Sequence, residues 1–363
     1  MRILAFPRDR NPYQDLLYGE MHRLGVQVTY IGEWTPSHLL NLLLLPLETA
    51  VRRLCGIRLI HLHWVSAFAF PCTDHFPILR RVAQCWFVVW LRVSRMLGMR
   101  LVWTAHNVLP HDRVFADDVA ARHKLVLASD LVVAHSQSTL ASLAEIGVTA
   151  SKSAIIPHGP IAPNRPAASL RIPGSDGGPR RFLFIGRLKE YKGIDDLLTA
   201  FEVLPKNVSA HLTIAGQCDE PQLQTRLNTF AERSDITIVA RRNRLSEEEI
   251  TELMAVADIV ILPFRRITTS GSALLALSHG RPIIVPDLPA MADFPDAAVI
   301  RYDGSIPELR AALVKVATID SGLLAAMSAA ALRYASAITW QEIAERTKSE
   351  MITLLSAVLY GSR

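Results

Sequence analysis

The sequence predicts two α/β domains, each built on a doubly wound parallel sheet. Each half alternates short apolar runs with stretches of helical spacing, the pattern of strands joined by crossover helices. A segment dense in Pro and Gly, from Pro160 to Pro179, separates the two halves. The chain has 363 residues, half of them hydrophobic and 20% charged, which is too much for one ordinary core and suits two.

Taken in order, the first half should place strands at Arg2–Phe6, Gln27–Ile31, Leu59–Leu62, Arg100–Thr104, Leu131–Ala134 and Ala154–Ile156. Helical spacing marks Tyr13–Leu24, Ala120–Leu127 and Thr139–Glu145, and Pro12 sits where a first helical turn tolerates it. The second half repeats the scheme. Strands are expected at Phe182–Ile185, Ala210–Ala215, Ile236–Val239, Ile259–Leu262, Pro282–Val285 and Val299–Arg301. Helices are expected near Ile194–Leu204, Glu220–Glu232, Glu247–Val256, Ser272–Ser278, Ile306–Ala317 and Gly322–Ala335, with a last one from Trp340 towards Leu359. The expected division is 1–165, a linker at 166–179, 180–338, and a closing helix in 339–363 that packs back towards the first domain. Such sheets bind ligands outside the carboxyl ends of their strands, so the two domains should face a central cleft.

Charge is unevenly placed. Residues 1–165 hold 17 Lys/Arg against 11 Asp/Glu, and the rest hold 22 against 23, so the first half carries the net charge of +5. Much of it comes from Arg52, Arg53, Arg58, Arg80, Arg81, Arg92, Arg95 and Arg100, beside the apolar runs Leu39–Leu45 and Cys85–Leu91. Neither run reaches the roughly 18 residues that span a bilayer. Basic residues flanking amphipathic helices suit a protein resting on anionic lipid, and ordinary core helices with solvated arginines explain the same pattern. No basic cluster interleaves with stacking aromatics, so nucleic acid is not an expected partner. Cys55, Cys72, Cys85 and Cys218 form no CxxC pair, which argues against zinc and disulfides and for buried thiols in a reducing cytoplasm. No signal peptide is read at the start, where Met1-Arg2 runs directly into a strand.

Two segments carry the chemistry of the second half. Gly186-Arg187-Leu188-Lys189-Glu190-Tyr191-Lys192-Gly193 follows a strand, and Thr268-Thr269-Ser270-Gly271-Ser272 opens a helix that closes at Gly280-Arg281-Pro282. Small residues at such junctions leave backbone N–H groups facing an anion. Arg187, Lys189 and Lys192 can neutralise a diphosphate. Gly186, Thr269, Ser270, Gly271 and Ser272 are therefore expected to cradle the phosphates of a nucleotide sugar.

In the first half, His106-Asn107 and Pro110-His111-Asp112 follow a strand end. His106 suits a hydrogen bond to a donor-sugar hydroxyl, and Asp112 a general base, with His111 beside it. A satisfied core histidine and a helix cap are the structural alternatives. Asn11 and Tyr13 open the first helix at the same edge. His61 and His63 alternate onto one face, next to Trp64. No carboxylate stands at a metal-ligand spacing, so Asn11, Tyr13, His63 and Trp64 are read as acceptor or cleft lining and no metal is expected. His135 and Pro157-His158-Gly159 are read as mainly structural.

With these residues in place, the chain resembles the GT-B-fold glycosyltransferases, two Rossmann-like domains around a cleft, and its second half resembles glycosyltransferase family 4 over roughly Ile155 to Pro286. The resemblance rests on Ile156-Pro157-His158-Gly159, Gly186-Arg187-Leu188 with Lys192-Gly193, Ala215-Gly216, Ala257-Asp258-Ile259 with Pro263, and Gly280-Arg281-Pro282. That family carries two glutamates eight positions apart around the second phosphate loop. Ile267 and Leu275 occupy those positions here, which puts the usual ribose contact and the retaining mechanism in doubt. The chain is also similar to the β-mannosyltransferases of xanthan assembly, through Asn11-Pro12-Tyr13, His61-Leu62-His63-Trp64, His106-Asn107, Pro110-His111, Tyr191-Lys192-Gly193 and Ser270-Gly271 with Leu274–Ser278.

The second resemblance implies GDP-mannose as donor, inversion at the anomeric carbon, and a lipid-linked oligosaccharide acceptor in exopolysaccharide assembly. The protein is then expected in the cytoplasm, peripherally on the inner face of the plasma membrane. No cofactor is expected beyond the nucleotide sugar as co-substrate, because there is no Asp-x-Asp motif and fixed cations supply the electrostatics of a metal. The competing readings are a retaining transferase using a UDP-sugar, an epimerase or phosphorylase of the same fold, and a non-catalytic nucleotide-sugar-binding subunit. A dinucleotide dehydrogenase is disfavoured, since no GxGxxG follows the first strand.

Overall fold

The computed structural model describes residues 1–9, 11–73, 75–110, 112–161, 177–267 and 270–360. His111, Thr268, Thr269 and most of the linker expected at 166–179 lie outside the described residues. The chain forms two compact units, Met1–Gly159 together with Trp340–Arg363, and Pro160–Thr339.

The first unit holds strands β1 (Arg2–Phe6), β2 (Gln27–Tyr30), β3 (Leu59–Leu62), β4 (Arg100–Ala105), β5 (Leu131–Ala134) and β6 (Ser153–Ile155). They form one sheet in the order β2-β1-β3-β4-β5-β6, every pairing parallel. The connections are α1 (Pro12–Arg23), α2 (His38–Leu54), α3 (Ile78–Met96), α4 (Asp118–Ala128) and α5 (Gln137–Glu145). Asn11 starts α1 by accepting from the Tyr13 amide at 3.0 Å, with Pro12 at the first position where its missing N–H costs nothing. Ser37, Asp117 and Ser136 cap α2, α4 and α5 in the same way.

The two basic, apolar stretches become α2 and α3, and each has two apolar faces. Leu42, Leu45, Phe87 and Trp90 are buried, with the Trp90 indole donating to Thr49 and that of Trp86 to the Leu42 carbonyl. Leu40, Leu43, Leu47, Val51 and Leu54 on α2, and Ile78, Val82, Val89 and Met96 on α3, are exposed. These are core helices whose outer face is also apolar. The cysteines depart from expectation. Only Cys218 is buried; Cys55 ends α2, Cys72 sits in a turn at φ 61, and Cys85 lies on the outer side of α3.

The second unit holds β7 (Arg180–Ile185), β8 (Ala210–Gln217), β9 (Ile236–Arg241), β10 (Ile259–Ile261), β11 (Ile283–Pro286) and β12 (Val299–Tyr302) in the order β12-β11-β10-β7-β8-β9, again parallel. Its helices are α6 (Ile194–Glu202), α7 (Pro221–Phe230), α8 (Glu247–Val256), α9 (Gly271–Ser278), α10 (Ile306–Thr318) and α11 (Ser321–Ser336). Alternate residues of β7 feed two cores. Phe182 and Phe184 pack with Leu197, Leu227 and Leu313 of α6, α7 and α10, whereas Leu183 and Ile185 pack with Met254, Ala276 and Ala330 of α8, α9 and α11. Helices thus cover both faces.

The final helix, α12 (Trp340–Tyr360), belongs to the first unit and packs against α1. The stretch Ser321–Ser356 is long and apolar enough by composition to cross a membrane. It is not one helix: α11 and α12 divide it and fall in different units.

Two glycines fix the carboxyl edge of the second sheet. Gly216 has φ 154, and a Cβ there would lie 1.6 Å from the Gly186 carbonyl oxygen. Gly193 has φ 71, and a Cβ there would lie 1.9 Å from that of Pro263. Both neighbours are backbone and cannot swing aside. Gly216→Ala should therefore destabilise the second unit by about 1–3 kcal/mol or more. Calorimetry should show its transition lowered; an unchanged melting temperature would mean that the close approach to Gly186 is relaxed in solution.

Candidate active site

In each sheet the strand order reverses once, between β1 and β3 in the first and between β7 and β10 in the second, and ligands of such sheets bind outside the carboxyl ends at that point. The candidate residues of both halves collect at these positions.

In the first unit, histidines follow successive strands. His63 follows β3, His106 follows β4, His135 follows β5, and His158 stands three residues past β6, while His61 lies inside β3. Parallel pairing brings these strand ends together. The Tyr13 ring sits among them, 4.6 Å from His106, 5.3 Å from His135, 5.0 Å from His158 and 5.3 Å from Trp340 by centroid. Half-buried Trp64 stacks on His106 at 4.4 Å and 11°. Trp340 reaches the cluster because Gly159 has no side chain: a Cβ there would be 2.5 Å from the indole.

One chain of hydrogen bonds runs through the cluster, and its direction is forced from one end. The Ile156 carbonyl can only accept, so His135 Nδ1 carries a proton and donates to it at 3.0 Å. His135 Nε2 then accepts from His106 Nδ1 at 3.2 Å, and His106 Nε2 accepts from His63 Nδ1 at 3.0 Å. His63 Nε2 accepts from the Tyr18 hydroxyl at 2.6 Å, which in turn accepts from His61 Nδ1 at 2.9 Å. His61 Nε2 accepts from Thr104 Oγ1 at 2.8 Å, and the Tyr13 hydroxyl bonds to Thr104. Every imidazole is neutral with a fixed tautomer. Burial, reinforced by the neighbouring histidines, holds His63 and His106 well below the ordinary histidine value. Burial also pushes His61 down to about 3 and His135 to about 4. His158 is pushed to about 3, with its Nδ1 2.7 Å from the Gly159 carbonyl.

These contacts decide what the sequence candidates can do. His106 is buried and spends both ring nitrogens within the protein. His63 and Tyr13 are likewise buried and engaged, and Asn11 caps α1. Trp64 keeps part of its surface open. Asp112 is exposed, and no hydrogen bond among the described residues holds its carboxylate. Sequence reasoning read His135 and His158 as mainly structural and passed over Tyr18 and the part Trp340 plays here; the signal for the histidines as a group was their repetition after successive strands.

In the second unit the two phosphate segments meet. A Cβ on Gly186 would lie 2.9 Å from Ser272 Oγ, so the turn after β7 touches the start of α9. Ser270 is buried and caps α9 by accepting from the Ala273 amide at 3.1 Å. The Leu274 amide bonds to the Ser270 carbonyl, which leaves the first two helical amides, of Gly271 and Ser272, without a protein partner among the described residues. The cations differ from one another. Arg187 pairs with Asp219 at 2.9 Å and Lys189 with Glu220 at 3.1 Å, and the Arg187 guanidinium holds the Asp219 carboxyl below the usual range. Lys192 has no carboxylate partner among the described residues. Its ammonium lies 4.2 Å from the centre of the Phe264 ring, and burial pushes it down to about 8. Ile267 and Leu275 pack against the apolar cluster beside α9, so no carboxylate stands at either place.

Comparison with known proteins agrees with this geometry. Residues 179–318 match the family described as Glycosyl transferases group 1. A GDP-mannose:glycolipid 4-beta-D-mannosyltransferase of Xanthomonas campestris is 31% identical over 108 residues, 30% of this chain and 30% of that protein. A D-inositol 3-phosphate glycosyltransferase of Segniliparus rotundus is 25% identical over 279 residues, covering 71% of this chain and 62% of its own length. The matches thus span from about a third to under two thirds of these relatives. Among solved structures, HepE of Anabaena in complex with UDP superposes with a TM-score of 0.71 at 15% identity, over 97% of this chain and 100% of that one. Sucrose-phosphate synthase of Thermosynechococcus elongatus gives 0.74 at 14%, over 98% and 99%. The fold is that of the GT-B glycosyltransferases, with two Rossmann-like domains.

The buried imidazoles make the first unit acid-sensitive. Their folded pKa values lie below the unfolded value of about 6.5, so the unfolded chain binds more protons and stability must fall as pH drops below that value. Each imidazole contributes up to about 1.4 kcal/mol per pH unit between about 6.5 and its folded value. Urea unfolding should give a clearly lower midpoint at about pH 5 than at about pH 7. A midpoint indifferent to pH over that range would show the histidines to be solvated.

Proposed function

We propose that the chain is a glycosyltransferase that moves mannose from GDP-mannose to a lipid-linked oligosaccharide, with inversion, at the inner face of the plasma membrane. The observation that carries this reading is the meeting of the Gly186 turn with the start of α9 at the switch point of the second sheet, with the Lys192 ammonium in the segment after that turn lacking a carboxylate among the described residues. A diphosphate would take the amides of Gly271 and Ser272, draw Arg187 from Asp219, and supply the anion missing at Lys192. Fixed charges of this kind favour departure of the nucleoside diphosphate as its negative charge grows.

In the proposed reaction an acceptor hydroxyl oxygen bonds to the anomeric carbon as the bond to the diphosphate oxygen breaks, and the hydroxyl proton passes to a base. Asp112 is the assigned base, since its residue is exposed and its carboxylate has no hydrogen bond among the described residues, with His111 the preceding residue in the sequence. His106 orients its neighbours through its two hydrogen bonds. The replacement of both family glutamates by Ile267 and Leu275, together with the similarity to a β-mannosyltransferase, supports inversion. The exposed apolar faces of α2 and α3, with their arginines, support contact with anionic lipid. A second reading, a retaining enzyme using a UDP-sugar, draws support from the fold shared with UDP-bound HepE.

Incubating the pure protein with labelled GDP- and UDP-sugars, with and without bacterial polyprenyl lipids, should give transfer from GDP-mannose that requires lipid. Binding without turnover of any donor would favour a non-catalytic subunit. Anomeric-proton NMR of the product should show inversion, and a retained configuration would overturn the mechanism. Asp112→Asn should lower turnover about 10²–10⁴-fold while sparing donor affinity; full activity would remove Asp112 from the reaction.

Arg187→Ala and Lys192→Ala should each weaken GDP binding roughly ten- to a hundredfold, the effect of losing one charge-assisted hydrogen bond. Because Lys192 titrates near 8 and binds an anion only as the ammonium, GDP affinity should also fall above about pH 8, and this fall should vanish in Lys192→Ala. Unchanged affinity in both variants would put the diphosphate elsewhere.

A further inference from the structure

At the opposite edge of the first sheet lies a cavity of about 820 Å³ that the transfer reaction leaves unused. Its walls carry Arg2, Arg53, Arg58, Arg95 and Arg100 against a single carboxylate, Asp130. Arg2 and Arg100 begin β1 and β4, and Arg58 directly precedes β3. Arg53 and Arg95 come from the last turns of α2 and α3. The pocket therefore sits at the amino ends of the strands, a strand length of roughly 15 Å from the histidine cluster.

Helix capping explains only part of this arrangement. Arg2 donates to the Cys55 carbonyl at 2.9 Å, Arg53 to that of Leu97 at 2.9 Å, and Arg95 to that of Leu127 at 3.3 Å, all at helix ends where cations are favourable. Each of these bonds uses one of a guanidinium's five donors. Asp130 is occupied by Arg100 at 2.5 Å and by the Leu101 amide at 2.8 Å. The Arg58 carbonyl accepts from the Arg100 amide at 2.7 Å, whereas its exposed guanidinium makes no hydrogen bond or ion pair among the described residues. Among the described residues these other four guanidiniums share one cavity without a counter-charge, an arrangement that costs energy until an anion enters. Ile352 and Leu355 of α12 add an apolar wall.

We infer that this cavity binds a phosphate-bearing anion, held by bidentate contacts from Arg58 and Arg95 and by the free donors of Arg2 and Arg53. The phosphate is that of a lipid headgroup or of a soluble phosphate ester. The inference stands apart from the proposed transfer reaction and from the diphosphate cradle of the second unit.

The probe is inorganic pyrophosphate, titrated calorimetrically into full-length Arg187→Ala/Lys192→Ala protein so that the cradle does not compete. Binding is expected, and adding Arg58→Ala and Arg95→Ala should weaken it by about tenfold or more per arginine. Equal affinity with and without the two arginines, or no binding at all, overturns the inference. Phenylglyoxal labelling of the wild type, read by peptide mass spectrometry, checks it without substitutions: pyrophosphate should protect Arg58 and Arg95, and equal labelling counts against the site. Sedimentation with phosphatidylcholine vesicles, with and without phosphatidic acid, separates the sources. Arginine-dependent capture by phosphatidic acid identifies a headgroup site, and arginine-dependent pyrophosphate binding without such capture identifies a soluble phosphate.

Discussion

Parallel pairing is the constraint on which the rest of this protein depends. When every strand of a sheet points the same way, the residues that follow the strands gather along one edge and those that precede them along the other. In the first sheet the following residues are His63, His106 and His135, and the preceding or leading ones are Arg2, Arg58 and Arg100. One edge becomes a dry network of neutral rings and the other a wet pocket of positive charge. The chemistry of each follows from which side of an apolar run a residue occupies.

The histidine network and the phosphate cradle treat polar groups in opposite ways. The network satisfies each ring nitrogen internally, so it is rigid, neutral and intolerant of a proton: protonating any acceptor nitrogen would set two donors against each other. Among the described residues the second unit's segments leave two helical amides without a protein partner and one ammonium without a carboxylate, groups that a ligand can complete. Arg187 and Lys189 lie between these extremes, each engaged with a carboxylate, Asp219 and Glu220 respectively. Tyr13, His63 and His106 accordingly shape the first domain, whereas Trp64 is half-buried and Asp112 is exposed.

Much of this was legible in the sequence because it depended on local pattern. Apolar runs of four to six residues bounded by breakers marked the strands of both sheets. Glycines after β7 and at the start of α9 marked two turns that the fold brings into contact through Gly186 and Ser272. What depended on distant partners was hidden. Neither the return of Trp340 to Tyr13, 327 positions away, nor the joining of His61 and His63 by Tyr18 leaves a periodic trace. Cysteine burial was misjudged for Cys55, Cys72 and Cys85 because side-chain polarity says little about which face of a helix or turn a small residue takes. Asp112 shows the converse: the sequence proposes it as a base, but its exposure, with no hydrogen bond to its carboxylate among the described residues, is visible only in the structure.

The return of α12 to the first unit gives the protein a discontinuous domain, and this sets an order of assembly on the ribosome. The second unit is a continuous segment that can fold as soon as it emerges. The first unit, although begun earlier, lacks Trp340, Ile343, Ala344 and Met351 from its core until the segment after Thr339 is made. It also lacks the bonds from Arg346 to the Ile155 carbonyl and from Lys348 to the Leu24 carbonyl. The unit begun before the other is therefore completed after it, and the Tyr13 pocket stays uncovered while the second unit is made. A chain that stops before Trp340 would release a completed second unit tethered to an unfinished first one, a form that cellular quality control can distinguish from the whole protein.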